Sequence, residues 1–423
     1  MKLPYAEVEF DAKGVPTSDD AFDAASALVG DRSATDVLVL CHGWNNTPVD
    51  ARALYDRLVA NLVAVRASDA STRARTLVAV GVIWPSIQWA PDDDAGGGAG
   101  ADSEEDLLRA DIERSIIDPA KRRRLLALVP RLDSDPAAAE KFLAILRTTL
   151  PRSSKGEDMS AFRFLRTAPA HEVVDAARGS AAAETPAFVG GAAGIPAEGL
   201  PPLDGDGGGA GLFDSLVGAL RNVVNVASYY TMKERAGVVG AKGLSTLLDR
   251  LRTDHPDARL HLVGHSFGGR AVTAAVKSAR TRVDSLALLQ AAFSHFGMAR
   301  DWDGGGTDGL FAAVPAKVTG PTIVTFTRND RAVGLAYAIA SRLARQVGAS
   351  LGDANDPYGG IGRNGALKTQ ASLPSGQLVA VGGEYGFQKG LVSSLNADAF
   401  ITSHSDVTGK QVAFAILRAI GTT

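Results

Sequence analysis

The sequence predicts an α/β fold, a mostly parallel central sheet flanked by helices on both faces. Two observations carry this. Apolar runs of strand length, rich in β-branched residues, recur along the chain, and stretches with helical spacing alternate with them. Strands buried on both faces read as near-continuous apolar runs, and helix crossovers are what connect parallel strands. A third feature breaks the rhythm: residues 91–226 lack strand-like runs and carry long Ala/Gly/Pro-rich stretches. The expected organisation is therefore a core of residues 1–90 and 227–423, with residues 91–226 inserted as a helical and irregular cap or lid.

In chain order, a short strand is expected around Glu7 to Phe10, then a Gly-Val-Pro turn and a short helix. Asp36 to Cys41 is an apolar strand that ends in His42-Gly43-Trp44-Asn45-Asn46. Leu54, Leu58, Leu62 and Val65 recur at helical spacing within Val49 to Arg66, and Leu77 to Trp84 is a further strand closed by Pro85-Ser86. Asp92 to Asp102, acidic and Gly-rich, predicts a mobile loop. Glu104 to Leu150 predicts helices, and Gly179 to Gly211 irregular chain. Leu212, Phe213, Leu216, Val217, Leu220, Val223 and Val224 form an apolar stripe on a helix, either core or the underside of a lid.

From Lys233 to Arg252 a helix leads into the strand Arg259 to His265, followed by a helix from Gly268 to Arg280. Asp284 to Phe293 and Pro321 to Thr327 read as strands, and Ala332 to Val347 as a helix. Gln377 to Val381 reads as a short strand. Asn396 to Asp406 is expected to be a loop, and Lys410 to Ile420 the closing helix.

Composition narrows the function classes. The chain has 423 residues, 45% hydrophobic and 22% charged, ordinary values for a globular protein. A formal charge of -3 argues against a nucleic-acid partner held by bulk electrostatics. The single cysteine, Cys41, excludes an intrachain disulfide and a multi-cysteine metal site, and its apolar surroundings make it a packing residue. Met1 to Glu7 lacks the apolar core of a signal peptide, and no apolar run is long enough to span a bilayer. A cytoplasmic protein is the expectation; export through a dedicated secretion machine leaves no such mark.

The chemistry centres on Gly264-His265-Ser266-Phe267-Gly268, a Gly-x-Ser-x-Gly sequence between strand and helix. This is the nucleophile-elbow pattern, which holds a serine at the tip of a strained turn and needs small residues two positions away on each side. A serine hydroxyl needs a base, usually a histidine oriented by a carboxylate. In such elbows the acid and then the histidine follow the serine. Only His295 and His404 follow Ser266. His295 precedes every well-placed acid and is assigned to pocket lining or packing. His404, in a polar loop before the last helix, is the candidate base. Asp330, just after the strand ending at Thr327, is the candidate acid, with a helix N-cap as its plain alternative. Asp398 and Asp406 are weaker candidates. Asp353 and Asp356 lie in a Gly/Asn-rich loop that lacks the spacing and closing Glu of a calcium loop, so no metal is expected. The oxyanion hole is assigned to the backbone N–H groups of Phe267 and Trp44, with His42 bracing the loop.

With these pieces in place the chain resembles an α/β-hydrolase of the serine esterase/lipase type. It is similar in particular to bacterial members carrying a His-Gly-aromatic-Asn-Asn strand end, a Trp-Pro-Ser strand end and a His-Ser-x-Gly elbow. Here these are His42 to Asn46, Trp84 to Ser86 and His265 to Gly268. The resemblance covers roughly residues 36–90 and 230–420. It implies the α/β-hydrolase fold with a cap or lid, and hydrolysis of carboxylic esters through Ser266, His404 and Asp330, with no cofactor. The expected partner is a small-molecule or lipid ester. Trp84, Phe293 and His295 suit the binding of its apolar part. Two alternatives share the triad: thioester, amide or acyl-transfer chemistry, and a membrane-active lipase. A non-catalytic binding protein on the same fold is the alternative of a different class.

Overall fold

A computed structural model describes residues 3–67, 69–86, 103–152, 159–178, 215–330 and 359–423. The expectations for Asp92 to Asp102, Gly179 to Gly211 and Ala332 to Val347 therefore lie outside the described residues, as do Leu212, Phe213, Asp353 and Asp356. The strands are β1 (Tyr5–Glu9), β2 (Asp36–Cys41), β3 (Leu77–Ile83), β4 (Arg259–His265), β5 (Ser285–Leu289), β6 (Thr322–Phe326), β7 (Gly376–Gln377) and β8 (Val392–Asn396). They form one sheet in the order β1-β3-β2-β4-β5-β6-β8-β7. All of its strand pairings are parallel.

The sheet has two hydrophobic faces, and period-2 alternation divides each strand between them. In β2, Val37, Val39 and Cys41 enter one core, while Leu38 and Leu40 enter the other. The second face is covered by α2 (Pro48–Arg66) and the closing helix Lys410–Gly421. Thr47 starts α2 with a reciprocal capping box to Asp50, and Pro48 fits the first helical position. The first face carries α1 (Ala21–Asp31), α8 (Leu216–Val238), α9 (Ser245–Asp254) and α10 (Phe267–Ser278).

The helices of residues 103–178 are α3 (Glu104–Ser115), α4 (Pro119–Leu126), α5 (Pro136–Arg147), α6 (Met159–Thr167) and α7 (Ala170–Arg178). They bury Leu108, Ile112, Phe142, Leu143 and Phe162 in the same continuous core as Leu262 and Val272 of the sheet layer. Val217, Leu220, Val223 and Val224 of the apolar stripe are core residues too. Helix α8 runs unbroken through position 226, so the expected boundary with the insertion falls inside a helix. Its buried face continues from Val217 to Met232, on both sides of that boundary.

The strand expected from Gln377 to Val381 is confined to β7, Gly376–Gln377, and two further elements differ from expectation. The helix expected from Lys233 to Arg252 is the end of α8 joined to α9 by a π-helical turn, Val239–Leu244. The wide turn brings Gly240 against α10: a Cβ there would stand 2.1 Å from the Ala271 carbonyl oxygen. The strand β8 was not expected at all. Val392-Ser393-Ser394-Leu395-Asn396 has only two strongly apolar residues, yet Val392 to Leu395 are all buried. Small serines fit between neighbouring layers, and the apolar pattern on which strand recognition depends is lost. Among the described residues no helix is long and apolar enough to cross a membrane.

Candidate active site

Strand β4 ends at His265 and α10 begins at Phe267, so Ser266 alone makes the turn. Its backbone sits at φ 55°, ψ -124°, a left-handed region that side-chain-bearing residues avoid. Such strain costs about 1–3 kcal/mol and persists only where the surroundings over-determine it. Here they do. The Ser266 N–H donates to the Leu289 carbonyl at 3.1 Å, and the Ser266 carbonyl accepts from Gly269 and Ala292, each at 3.0 Å. A Cβ at Gly264 would stand 2.5 Å from the Gly268 carbonyl oxygen, and one at Gly268 would stand 2.1 Å from that of Cys41. Both glycines are therefore steric requirements of the turn.

Three side chains meet at the carboxyl edge of the sheet. Ser266 Oγ lies 2.9 Å from His404 Nε2, and His404 Nδ1 lies 2.9 Å from Asp330 Oδ2. The Asp330 carboxylate is fully buried, and the His404 ring is 15% exposed. A carboxylate accepts only, so Nδ1 carries the proton and Nε2 is left to accept from the serine hydroxyl. That tautomer is the one a general base requires. Asp398 and Asp406 are spent elsewhere. Asp398 accepts from Thr327 Oγ1 and the Arg328 N–H, each at 2.8 Å. Asp406 accepts from the backbone and hydroxyl of Thr402. Asp398 thereby braces the β6 end that delivers Asp330.

The loop after β2 abuts the serine. A Cβ on Gly43 would lie 2.8 Å from Ser266 Cβ, and the Trp44 ring packs 6.0 Å from that of Phe267. The residues assigned as oxyanion donors, Trp44 and Phe267, thus flank Ser266, and Phe267 opens the positive end of α10.

This loop is fastened by the end of β3. The Trp84 N–H donates to His42 Nε2 at 3.2 Å, and the Trp84 indole donates to the His42 carbonyl at 2.9 Å. His42 Nδ1 then carries a proton and donates to the Gly43 carbonyl at 2.9 Å. Burial depresses the His42 imidazole to about 4, keeping it neutral as a brace. Asn46 Nδ2 holds the carbonyls of Gly43 and Trp44, while Ser86 Oγ bridges the Asn46 N–H and carbonyl. Arg235 of α8 ties in Pro85 through its carbonyl at 2.7 Å.

Trp84, Phe293 and His295, expected to line a substrate pocket, are all buried. Phe293 packs edge-on against Phe311, with centroids 5.0 Å apart, and His295 Nδ1 accepts from Asn364 Nδ2 at 3.0 Å. Among the described residues, no hydrogen bond or ring contact joins these three to Ser266, His404 or Asp330. Cys41 is a buried thiol that burial pushes up, consistent with packing.

Sequence reading passed over His265. Its Nε2–H donates to the His404 backbone carbonyl at 2.9 Å, and the two imidazoles lie 4.9 Å apart. Among the described residues its Nδ1 has no hydrogen-bond partner. Burial first, and then electrostatic repulsion from the neighbouring His404 imidazole, lower its pKa to about 3. It is a neutral donor that pins the loop carrying the base. Its place as the second residue of the elbow was the available signal.

Compared with protein-family models, curated proteins and solved structures, the chain matches none.

Proposed function

We propose that this chain is a serine hydrolase of the α/β-hydrolase type that cleaves carboxylic esters. The observation that carries the reading is the continuous line from Ser266 Oγ through His404 to Asp330, with 2.9 Å at both links. These residues arrive from the ends of three strands, and no structural need of the sheet requires that they meet. The backbone strain at Ser266 supports the same reading.

Ser266 Oγ attacks the ester carbonyl carbon as His404 Nε2 takes its proton. The carbonyl oxygen becomes an oxyanion facing the N–H groups of Trp44 and Phe267, each worth about 2.7–4 kcal/mol in the transition state. His404 then gives the proton to the leaving alkoxide, which departs as the alcohol, and an acyl-Ser266 ester remains. Water, deprotonated by His404, attacks that ester. Collapse releases the carboxylic acid and returns the proton to Ser266 Oγ. Asp330 stays ionised throughout and stabilises the imidazolium that forms twice per cycle. The unnamed features of the ester, its acyl and alcohol groups, are the variables of a substrate panel.

Turnover of short p-nitrophenyl esters tests the reading. Ser266→Ala should lower kcat by about 10⁴-fold or more, since removing a nucleophile removes most of the acceleration. Undiminished turnover in the folded variant would sink the proposal.

A further inference from the structure

Charge is unevenly spread over this chain. Its formal total is -3, yet residues 119–147, the hairpin of α4 and α5, contain seven Lys/Arg and three Asp/Glu, a net +4. The acids are Asp133, Asp135 and Glu140. Asp135 is engaged with Arg131 at 2.6 Å. Arg124 and Lys141 are exposed, and among the described residues neither has a carboxylate within ion-pair distance.

These cations rim a groove between the two helices, with a volume of about 570 Å³. Arg124, Arg131 and Lys141 stand around it, and Leu128, Ala144 and Ile145 lie along its floor. Thr148 belongs both to this groove and to a neighbouring one of about 160 Å³, which Ile117 and Lys121 line. Ile117 is 51% exposed, one of few large apolar side chains left in solvent. The inner side of the hairpin is fixed, with Phe142, Leu143 and Leu146 buried in the main core. The basic face is therefore a rigid platform.

We infer that this face binds the surface of an anionic lipid bilayer, with phosphate headgroups among Arg124, Arg131 and Lys141 and acyl chain against the apolar floor and Ile117. Cations around an aliphatic surface are the composition of an interfacial lipid site. A nucleic acid fits less well. The groove has no aromatic side chain to stack a base, and an exposed Ile117 offers nothing to a phosphate backbone. The inference stands independently of the ester-hydrolase reading. If both hold, the substrate class is a lipid ester taken at a membrane. The helix bundle that carries the basic face includes α8, whose Tyr229 ring lies 5.4 Å from Phe267 beside Ser266.

Co-sedimentation of the full chain with vesicles tests it. One set is neutral phosphatidylcholine, the other contains 30 mole percent, or about a third, phosphatidylglycerol. Binding to the anionic set alone, lost near 1 M salt where screening reaches about 3 Å, is the expected result. Arg124→Glu with Lys141→Glu should weaken it about thirtyfold or more, given about fivefold per basic residue at a surface. Arg280→Glu, at an 89% exposed arginine elsewhere, is the charge control and should bind within about twofold of wild type. Equal binding to neutral vesicles, no binding to either set, or an unaffected double variant would overturn the inference. So would retention of duplex DNA or RNA in place of the anionic vesicles. Turnover of a soluble ester by the same preparations reports on the active site separately.

Discussion

Asp330 and His265 act on different parts of His404. Asp330 fixes its tautomer through Nδ1, and His265 fixes the position of its backbone through the carbonyl. Their losses should therefore look different. Asp330→Asn offers Nδ1 an amide in place of a carboxylate and permits the wrong tautomer. It should lower kcat of a short ester by about 10⁴-fold. Asp406→Asn, at a carboxylate that accepts from Thr402 and from neither His404 nor Ser266 among the described residues, should stay within about threefold. His265→Leu removes the donor to the His404 carbonyl and should cost about tenfold in kcat with KM little changed. His265→Gln restores a neutral N–H donor and should recover most of that loss. Equal damage from Leu and Gln would assign His265 to packing alone. The serine, acid and base were legible in the sequence because chain order and strand ends constrain them tightly. His265 was not, since a histidine beside a nucleophile has no sequence feature to show which backbone carbonyl it meets across 139 positions.

At the scale of elements, the site depends on how closely backbones approach. The turns His42 to Asn46 and Trp84 to Ser86 lock to each other through five hydrogen bonds. Their residue types are explained by those bonds, beyond any pattern of hydropathy. The π-helical turn after α8 lets Gly240 touch α10, the helix that Ser266 begins. Gly240→Ala should push these helices apart and destabilise the fold by about 1–3 kcal/mol, read as a lower urea midpoint at unchanged slope. Strands β2, β3 and β4 were legible because both faces are buried and each carries a run of apolar residues: Val37 to Cys41, Leu77 to Ile83, and Leu260, Leu262 and Val263. Strand β8 was illegible because Ser393 and Ser394 occupy buried places without apolar side chains. The π-helical turn was illegible for a related reason: its Val-Gly-Ala-Lys-Gly-Leu sequence continues a helical pattern, and only the contact with Ala271 distinguishes it.

For the whole molecule, the inserted helices and the sheet share one core. Leu108, Phe142 and Phe162, from the segment expected as a cap or lid, are buried with Leu262 of β4 and Val272 of α10. Deleting residues 103–178 should expose that core and abolish the cooperative thermal transition. The opposite edge of the sheet is held by charge. Asp36 takes His261 Nε2 at 2.9 Å and Arg75 at 2.9 Å, and Arg75 also reaches Thr423 at the end of the chain. Burial works to raise the Asp36 carboxyl, but the His261 and Thr35 hydrogen bonds and the Arg75 charge outweigh it, and it falls to about 2. A carboxyl depressed on folding stabilises above its unfolded value of about 4, and the contribution fades as pH falls through 2. Asp36→Asn should thus cost about 2 kcal/mol at neutral pH, with the gap to wild type closing between about pH 4 and pH 2.

The central claim is that Ser266 is an activated nucleophile. Intact-mass measurement after treatment with a fluorophosphonate probe tests it most directly. The account predicts one probe per wild-type chain, mapped to Ser266, none on Ser266→Ala, and labelling slowed by orders of magnitude in His404→Ala. An unlabelled wild-type protein with its fold intact, or labelling that persists in folded Ser266→Ala, would contradict it.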